Sequence, residues 1–565
     1  MSAEPARSRW WGWGDDAQAL ELPEPALALL CAELEVDDVR RAPVALEDVR
    51  LGEPALSPEA HARLAAVVGA ENVRQDRAER VLHAAGKGYP DLVRQRAGDC
   101  ERAPDAVVHA GDGDQLAAIL EACGQEAVAV VPFGGGTSVV GGVEPLRGDF
   151  PAVVALDLGA LDRLVSVDRA SLTAVLEPGM RGPRVEAALR AHGLSLGHYP
   201  QSFEYATVGG WVATRSAGQA STGYGRIDDL VLGLRLVAPA GTIDLPARPA
   251  SAAGPDVRQL LVGSEGALGV ISLAALQVHP APAASRYQGW FFRSFAEGAE
   301  ALRTLEQEGA APDVARLSDE PETRLTLALA GREGLRARAG DAYLRLRRYA
   351  AGCLAIVGWE GDEDAIARRA GQAGALLRRA DGLALGRSPG RAWAAGRYAA
   401  PYLRDALLDR GVMVETLETA TRWSGLLDLH DAVAGVLHEA LAARGTPALV
   451  ACHVSHLYPS GASLYFTFLA RQEEGAELEQ WEAAKRAASD AIVARGATIT
   501  HHHAVGRDHL PWMEAEVGRL GLDALRAVKA QLDPAGIMNP GKLLPPRTAP
   551  SAQLERALED DRSRA

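Results

Sequence analysis

The sequence predicts an α+β fold with two domains, and three observations support this. A run of mostly β-branched residues, 127–131, leads straight into a loop with five glycines between Pro132 and Gly142. A rhythm of strand, helix and strand surrounds this loop. From Arg286 the pattern starts afresh, and strands and helices follow one another to about Arg495. This second pattern indicates a further domain in which helices pack against an antiparallel sheet.

The individual elements follow from the period of the apolar residues. In the first half, we predict helices at 25–34, 58–68 and 182–192, and strands at 106–109, 127–131, 153–156, 173–176 and 230–237. In the second half, we predict strands at 287–292, 354–359, 412–416, 448–455 and 463–469, and helices at 295–307, 362–379, 401–408, 425–443 and 479–495.

Composition excludes several classes of protein. A net charge of −15 argues against a nucleic-acid surface, which needs clustered lysine and arginine. The five cysteines are widely spaced and include no Cys-x-x-Cys pair, so neither a disulfide framework nor a zinc knuckle is predicted. There is no run of about eighteen apolar residues. We expect a cytoplasmic protein, with two alternatives for the Trp10 to Trp13 cluster, a packed extension or a peripheral membrane contact.

The glycine loop suits the binding of an anion. Three consecutive glycines, Gly134, Gly135 and Gly136, let backbone N–H groups approach a phosphate without interference from a Cβ atom. The loop matches neither the P-loop pattern nor the dinucleotide fingerprint. On its own, it fits a phosphate cradle and a flexible turn equally well.

Two later stretches, residues 200–214 and 263–271, give the loop its context. The three together resemble the flavin domain of the vanillyl-alcohol-oxidase type, in the same order and at similar separations. The resemblance implies FAD as the cofactor, with its pyrophosphate on the first loop and its isoalloxazine and ribityl parts along the other two. The implied cofactor-binding residues are Pro132, Phe133, Gly134, Gly135, Gly136, Thr137, Ser138, Gln201, Ser202, Phe203, Glu204, Tyr205, Ala206, Thr207, Thr214, Arg215, Ser216, Ala217, Glu265, Gly266, Ala267, Leu268, Gly269, Val270 and Ile271.

The expected domain limits follow from these patterns. They are an N-terminal helical extension at 1–95, an FAD-binding domain at 96–283, a cap domain for the substrate at 284–505, a segment at 506–546 that returns to the FAD-binding domain, and a tail at 547–565. The tail is polar and lacks aromatic residues, so we expect it to be disordered.

Four more motifs narrow the resemblance. They are residues 9–14, 402–405, 461–466 and 500–506, and with the flavin motifs they resemble alkylglycerone-phosphate synthase over nearly the whole chain. That family exchanges the acyl group of acyl-dihydroxyacetone phosphate for a long-chain alcohol, which forms the ether bond of ether lipids without net redox change. The resemblance thus implies these two substrates, and it leaves a homodimer open.

Two other functions remain open. The flavin motifs are shared with oxidases and dehydrogenases of 2-hydroxy acids, and fold does not fix function. A catalytically silent scaffold that binds flavin is the other alternative.

Three consecutive histidines, His501, His502 and His503, follow a strand-like stretch, 497–500. On an undistorted strand, the outer two share one face and the middle one points away, so the three could not bind one metal ion. We therefore predict no metal site. A polar loop is the plainer alternative, whereas the resemblance gives the histidines contact with the substrate and the flavin edge. Imidazole suits proton transfer at neutral pH.

Tyr465 lies on a predicted strand that alternates between apolar and polar residues. Such a tyrosine is more often a core residue with a satisfied hydroxyl. The resemblance instead matches it to the acid/base tyrosine of the family. This role requires a pKa below the ordinary phenol value of about 10, and we expect the histidines to supply the shift.

Two arginines are matched to substrate binding by the resemblance. Arg404 corresponds to the arginine that binds the substrate phosphate, and a guanidinium suits bidentate contact with phosphate. Its plainer alternative is a surface charge paired with Asp405 or Asp409. Arg248 lies near a second arginine of the family, although the spacing differs by about two residues.

Overall fold

The computed structural model describes residues 8–15, 18–36, 40–330, 342, 344–347, 349 and 351–546. The predicted tail at 547–565 lies outside the described residues. The predicted α+β fold is confirmed, and the domain limits stay a prediction.

The N-terminal part packs helices beside three very short strands. The helices are Glu24–Leu34, Pro58–Val68, Arg77–Leu82 and Tyr89–Arg96, and the strands are β1 (Arg50–Leu51), β2 (Val73–Arg74) and β3 (Asp99–Cys100). Helix Pro58–Val68 shows how the sequence sets such an element. The Ser57 side chain caps it by accepting the Ala60 N–H at 3.0 Å, and Gly69, with φ +89°, ends it.

The glycine loop leaves the edge of a four-stranded sheet. Its further elements are β4 (Ala106–His109), helix Gln115–Gln125, β5 (Val128–Phe133) and β6 (Ala152–Asp157), and the strand order is β2-β4-β6-β5. Strands β4, β5 and β6 are parallel and almost fully buried, which explains their continuous apolar sequence. The Val130 N–H donates to the Ile537 carbonyl at 2.8 Å, so the C-terminal segment lies against this sheet.

An antiparallel sheet completes the first domain. Its strand order is β11-β10-β12-β8-β7, and a separate pair joins β9 to β13. The strands are β7 (Leu164–Asp168), β8 (Thr173–Leu176), β9 (Leu194–Ser195), β10 (Val231–Ala238), β11 (Gly241–Leu245), β12 (Val270–Gln277) and β13 (His279–Pro280). The helices are Gly182–Arg190, Val208–Thr214, Ser221–Tyr224, Ile227–Leu230 and Val257–Leu261.

The cap contains one antiparallel sheet of seven strands in the order β17-β14-β16-β15-β19-β20-β18. The strands are β14 (Ala284–Phe292), β15 (Val314–Ser318), β16 (Cys353–Gly361), β17 (Leu383–Gly386), β18 (Val412–Arg422), β19 (Ala448–Tyr458) and β20 (Gly461–Arg471). The helices described here are Phe295–Gln307, Glu320–Leu329, Glu363–Arg379, Arg387–Gly396, Ala400–Leu408, Leu426–Ala442 and Glu477–Ala494, and helix Met513–Leu532 follows the cap.

The two faces of the cap sheet have different tasks. On β20, Phe466 and Phe468 are fully buried in the core formed with the helices, while Tyr465 and Thr467 point to the opposite face. The sequence period of two thus separates the side chains that stabilise the cap from those that face the first domain. No helix among the described residues is long and apolar enough to cross a membrane.

Candidate active site

A cavity of about 1230 Å³ lies between the loops of the first domain and the free face of the cap sheet. Most of the predicted cofactor-binding residues line it: Pro132, Phe133, Gly134, Gly135, Gly136, Thr137, Ser138, Gln201, Ser202, Ala206, Thr207, Thr214, Ser216, Ala217, Glu265, Gly266, Gly269, Val270 and Ile271. Tyr465, Arg404, His502 and His503 line it from the other side. The fold therefore brings together motifs that are far apart in sequence.

The remaining predicted cofactor-binding residues do not line the cavity: Phe203, Glu204, Tyr205, Arg215, Ala267 and Leu268. Two of them support its wall, since Phe203 stacks on Tyr398 and Arg215 donates to Asp228 and Gln259. Direct contact of these six residues with FAD stays a prediction.

The glycine loop has the form of an anion cradle. Among the described residues, no acceptor contacts the backbone N–H groups of residues 134–137. A Cβ atom on Gly135 would lie 2.1 Å from the Tyr205 carbonyl oxygen, and one on Gly134 would lie 2.4 Å from the Thr207 hydroxyl. Gly136 has φ +64°, which favours glycine. Glycine is thus required for packing, and the free N–H groups suit a pyrophosphate, so the residues present fit FAD.

Glu265 ties three parts of the cavity wall together. Its buried carboxylate accepts the N–H groups of Val505 and Gly506 at 2.9 and 2.7 Å, next to the histidine segment. Its carbonyl accepts the Asn539 side-chain amide, which also donates to the Gly142 carbonyl. Burial raises the pKa of Glu265 to about 7. The sequence had not singled out Asn539, because no local pattern shows that residue 539 returns to residue 142.

The three histidines form a turn instead of continuing a strand, so the prediction that residues 497–500 are strand-like is wrong. The Glu418 carboxylate accepts the N–H groups of His502 and His503 at 3.0 and 2.7 Å, as well as that of His501. The Thr500 hydroxyl donates to the same carboxylate at 2.7 Å. These backbone donors bind a side chain and therefore cannot form a sheet ladder.

Glu418 is the functional residue that sequence reasoning missed. It is 2 % exposed and pairs directly with Tyr465 across β18 and β20. Burial acts to raise its pKa, but the backbone N–H groups that donate to the carboxylate hold the pKa well below the ordinary range. A signal was present in the sequence, since an acidic residue within an apolar strand pattern needs a partner.

The turn also changes the geometry on which the metal argument rested. Ligand atoms of His456, His501 and His502 lie within 4.8 Å of one another, and so do those of Glu418, His502 and His503. The argument against a metal ion assumed an undistorted strand, and the structure does not have that conformation here. The absence of a metal site stays a prediction. His501, unlike His502 and His503, does not line the cavity.

Tyr465 lies among imidazoles. Its ring centroid is 4.9 Å from that of His453, 6.0 Å from that of His502 and 5.6 Å from that of His503. Burial, with a smaller contribution from the Glu418 carboxylate, raises the pKa of Tyr465 to about 12. The expectation of a lowered pKa is therefore wrong.

The histidines cannot lower the pKa of Tyr465 because they are neutral. Burial lowers the pKa of His502, and it lowers that of His503 to about 3. The Nδ1 atom of His503 has no hydrogen-bond partner within the described ranges. At neutral pH, the site thus combines a protonated phenol with unprotonated imidazoles.

Arg404 is partly buried and lines the cavity. It lies on helix Ala400–Leu408, and its Nη1 donates to the Lys87 carbonyl at 2.6 Å. Its Nε and Nη2 atoms are buried without a hydrogen-bond partner among the described residues. Such donors need an acceptor, which an anionic ligand would supply. The surface-charge alternative is wrong, since Asp405 accepts the Trp13 N–H at 2.6 Å and Asp409 pairs with Arg96.

Arg248 lies apart from this group. It is exposed, it does not line the cavity, and its backbone N–H donates to the Leu232 carbonyl at 3.3 Å. Its contact with substrate stays a prediction.

The N-terminal tryptophans are packed against the protein. Trp13 is 4 % exposed, lines the cavity and lies 5.4 Å from Tyr205, ring to ring. Trp11 lies beneath the guanidinium groups of Arg9 and Arg96. The structure therefore shows a packed extension here.

Apolar side chains line the cavity on both sides of its polar centre. One group is Phe291, Leu354, Ile356 and Leu385, on strands at one end of the cap sheet. The other is Leu325, Leu329, Leu403, Leu407, Val414 and Leu469, around strands at the other end. The cavity can thus hold a charged group at its centre and a long apolar chain beside it.

Comparison with known proteins shows the family. Residues 104–244 match the family model "FAD binding domain", and residues 281–543 match "FAD linked oxidases, C-terminal domain". The alkyldihydroxyacetonephosphate synthase of Dictyostelium discoideum is 31 % identical over 570 residues, which cover 95 % of this chain and 93 % of that protein. The chain belongs to the alkyldihydroxyacetonephosphate synthase family.

Two more comparisons agree with membership of this family. The alkyldihydroxyacetonephosphate synthase of Trypanosoma brucei brucei is 35 % identical over 508 residues, covering 88 % of this chain and 82 % of that protein. A solved structure of an alkyldihydroxyacetonephosphate synthase has a TM-score of 0.83 and 30 % identity, covering 95 % of this chain and 99 % of that chain. The predicted family, the flavin-type fold and FAD as cofactor are confirmed.

Proposed function

We propose that the protein is an alkylglycerone-phosphate synthase that exchanges the acyl group of acyl-dihydroxyacetone phosphate for a long-chain alcohol. The observation that carries this proposal is one cavity that joins the glycine cradle, the Arg404 guanidinium, whose Nε and Nη2 have no partner among the described residues, and an apolar lining. The products are the alkyl ether of dihydroxyacetone phosphate and a fatty acid. The alcohol proton balances the acid proton, and no electrons are transferred overall.

The glycine loop and the lining residues of 201–217 and 265–271 would hold FAD. When bound, FAD supplies an electrophilic ring that takes up electron density from the substrate and returns it within the same turnover. The chain itself supplies orientation and proton transfer.

The contacts and burial of each polar group of the cap support a role for it in the reaction. Arg404 binds the substrate phosphate through its two unpaired donors. Tyr465 keeps its proton and donates a hydrogen bond to a substrate oxygen. His502 and His503 are neutral imidazoles at the cavity, so they accept protons from the substrate.

The apolar lining receives the alkyl chain. Seven strands about 4.8 Å apart give the sheet a width of roughly 29 Å, which provides room for a long chain across its free face. A cavity of this kind favours a lipid substrate over a small 2-hydroxy acid, which has no chain to bury.

A coupled assay tests the function. Purified protein with FAD is incubated with palmitoyl-dihydroxyacetone phosphate and hexadecanol. We expect alkyl-dihydroxyacetone phosphate and palmitate in equal amounts, with no oxygen consumed. Turnover of a 2-hydroxy acid that needs an electron acceptor would establish the oxidase alternative instead. Bound FAD without product in either assay would establish a silent scaffold.

Contact with a membrane surface and a cytoplasmic location extend this proposal, because both substrates carry long chains. The packed tryptophans do not provide the contact. Sedimentation with phospholipid vesicles tests it, and light scattering of the purified protein tests the homodimer. A chain that stays in the supernatant at all lipid concentrations would contradict membrane contact, and a monomeric mass would contradict the homodimer.

A further inference from the structure

Arg397 is a second arginine with unfilled hydrogen-bonding capacity at the cavity. It directly follows helix Arg387–Gly396, is half-buried and lines the cavity. Its Nε donates to the side-chain carbonyl of Gln219 at 2.6 Å. Its Nη2 atom is buried without a hydrogen-bond partner in the part of the chain that the structure describes. Because a buried guanidinium N–H needs an acceptor, this atom indicates a ligand that supplies one.

The groups that contact the Arg397 guanidinium among the described residues do not neutralise its charge. Its Cζ atom lies over three aromatic rings, 5.2 Å from the centroid of Tyr199, 4.9 Å from that of Trp393 and 5.5 Å from that of Tyr398. The acceptor Gln219 is a neutral amide. Since an arginine side chain stays protonated in proteins, a positive charge remains at the cavity wall, and it favours an anionic ligand.

Arg397 lies between two parts of the cavity lining. On one side, its carbonyl accepts the side-chain amide of Gln201 at 2.9 Å, and Gln201 lines the part of the cavity that is expected to hold FAD. On the other side, Trp393 lies against the guanidinium and packs on the apolar group that contains Phe291 and Leu354. An apolar chain bound in that group therefore has its polar end beside Arg397, close to the expected flavin.

We propose that Arg397 binds the acyloxy group of the substrate and the fatty-acid carboxylate that this group becomes. The inference rests on the proposed function, because it gives the place of the leaving group. Arg404 lies beside the second group of apolar residues and binds the phosphate, while the acyl chain lies in the first group. The two arginines thus separate the two anions of the exchange, the phosphate that stays on the product and the carboxylate that leaves.

The charge of an arginine suits the departure of a carboxylate. When the bond between the substrate carbon and the acyloxy oxygen breaks, the electron pair leaves with the oxygen, and the carboxylate needs no proton at neutral pH. The Nη2–H of Arg397 donates to the ester before this step and to the carboxylate after it, so the hydrogen bond strengthens as negative charge develops. The alcohol oxygen supplies the electron pair of the new bond to the same carbon, and the proton that the alcohol releases balances the carboxylate charge.

Ligand binding to the FAD-loaded protein, measured by titration calorimetry, tests the proposal. We expect Arg397→Met to weaken palmitate binding about 10- to 100-fold, because a charge-assisted hydrogen bond is lost, and to leave the Kd of dihydroxyacetone phosphate unchanged. Arg404→Met should have the reverse effects. Hexadecanol has a chain of the same length without a charge, so it should bind Arg397→Met as tightly as the wild type.

Arg378→Met is the matched control for Arg397→Met. The Arg378 guanidinium also lies over a tryptophan ring, 5.6 Å from the centroid of Trp290, but Arg378 does not line the cavity. This variant should bind palmitate, dihydroxyacetone phosphate and hexadecanol as the wild type does.

A better leaving group should reduce the need for Arg397. The 2,2-difluoropalmitoyl ester of dihydroxyacetone phosphate releases a less basic carboxylate, which needs less stabilisation. We expect Arg397→Met to lower kcat for alkyl product by about tenfold or more with the palmitoyl ester, and by a smaller factor with the difluoro ester. A residue that only supports the fold would lower both kcat values by the same factor.

The outcomes separate this inference from the proposed function. Unchanged palmitate binding in Arg397→Met, or equal losses of kcat with the two esters, overturns the inference while the proposed function stands. If the variant does not hold FAD, competition in the wild type decides alone. Simultaneous binding of palmitate and dihydroxyacetone phosphate supports two anion sites, and mutual exclusion overturns them. A wild type that makes no alkyl product overturns the proposed function, and the inference with it.

Discussion

At the scale of single residues, Arg404 is the clearest case of a side chain with unfilled bonding capacity. Within the described part of the chain, only its Nη1 has a hydrogen-bond partner, and the buried Nε and Nη2 donors have none. We expect Arg404→Lys to weaken the binding of acyl-dihydroxyacetone phosphate by about 1.5–3 kcal/mol, since an ammonium cannot bind phosphate through two parallel bonds. The weaker binding raises KM. Steady-state kinetics with FAD-loaded protein measure this.

Arg378→Lys is the matched control for Arg404. The Arg378 guanidinium donates to the Gly374 carbonyl and lies over the Trp290 ring, away from the cavity. Its substitution should leave KM unchanged. Equal KM values for Arg404→Lys and the wild type would show that the substrate phosphate binds elsewhere.

Glu418 acts through the backbone of the histidine turn. Its carboxylate accepts four hydrogen bonds, and Glu418→Gln replaces one acceptor oxygen by an NH₂ group that faces backbone donors. We expect the variant to lose about 1–3 kcal/mol of stability and most of its kcat. Thermal melting and the alkyl-product assay measure the two effects.

Glu186 offers a close control for Glu418. This buried carboxylate also accepts consecutive donors, the N–H groups of Leu196 and Gly197 and the Ser195 hydroxyl, but it does not line the cavity. Glu186→Gln should lower the melting temperature while kcat is retained. If both variants keep full kcat, Glu418 has no part in positioning the histidines.

At the scale of elements, the glycine loop and the stretch at 205–207 form one packed unit. The Gly135 backbone approaches the Tyr205 carbonyl so closely that a Cβ atom would lie 2.1 Å from it. We expect Gly135→Ala to push the loop out of place and to abolish FAD binding. Visible flavin absorbance per mole of purified protein measures this.

Gly113→Ala is the control, because no heavy atom among the described residues outside its immediate neighbours lies within 4 Å of a Cβ atom at that position. It should hold the same amount of FAD as the wild type. A Gly135→Ala protein with one FAD per chain would refute the cradle.

At the scale of the whole molecule, the cap sheet and the helices around the cavity set how long an alcohol can be. Leu325 lies on helix Glu320–Leu329 and belongs to the second group of apolar residues that line the cavity. A larger side chain there occupies space that the alkyl chain of the alcohol needs. We therefore expect Leu325→Trp to lower kcat/KM for hexadecanol at least tenfold relative to octanol, which corresponds to a loss of about 1.4 kcal/mol in transition-state stabilisation.

The exposed Leu427, which is 42 % accessible and does not line the cavity, is the position for a control. Leu427→Trp should keep the wild-type ratio between the two alcohols. An unchanged ratio in Leu325→Trp would place the alkyl chain in another part of the cavity.

Local sequence patterns predicted elements well and long-range contacts poorly. Helix Phe295–Gln307 and strand Ala106–His109 have the predicted bounds, because apolar periodicity is a local property. The role of Glu418 depends on a contact with residues 82 to 85 positions later, which no local pattern contains. The prediction of a lowered pKa for Tyr465 is wrong for a similar reason. Burial raises this pKa, and the burial of Tyr465 depends on the assembled cavity, which the sequence around residue 465 does not show.

The contact between Val130 and the C-terminal segment has a consequence for synthesis on the ribosome. Val130 donates to Ile537 and accepts the Asn539 N–H at 2.8 Å, so the segment that supports the cradle is synthesised 407 residues after Val130. At about 5–20 residues per second, this delay is roughly 20–80 seconds. We expect ribosome-bound chains halted at residue 530 to retain no FAD, whereas released chains of 546 residues bind it. Flavin retained by the halted chains would show that the cradle forms during translation; otherwise, cofactor loading belongs to the finished polypeptide.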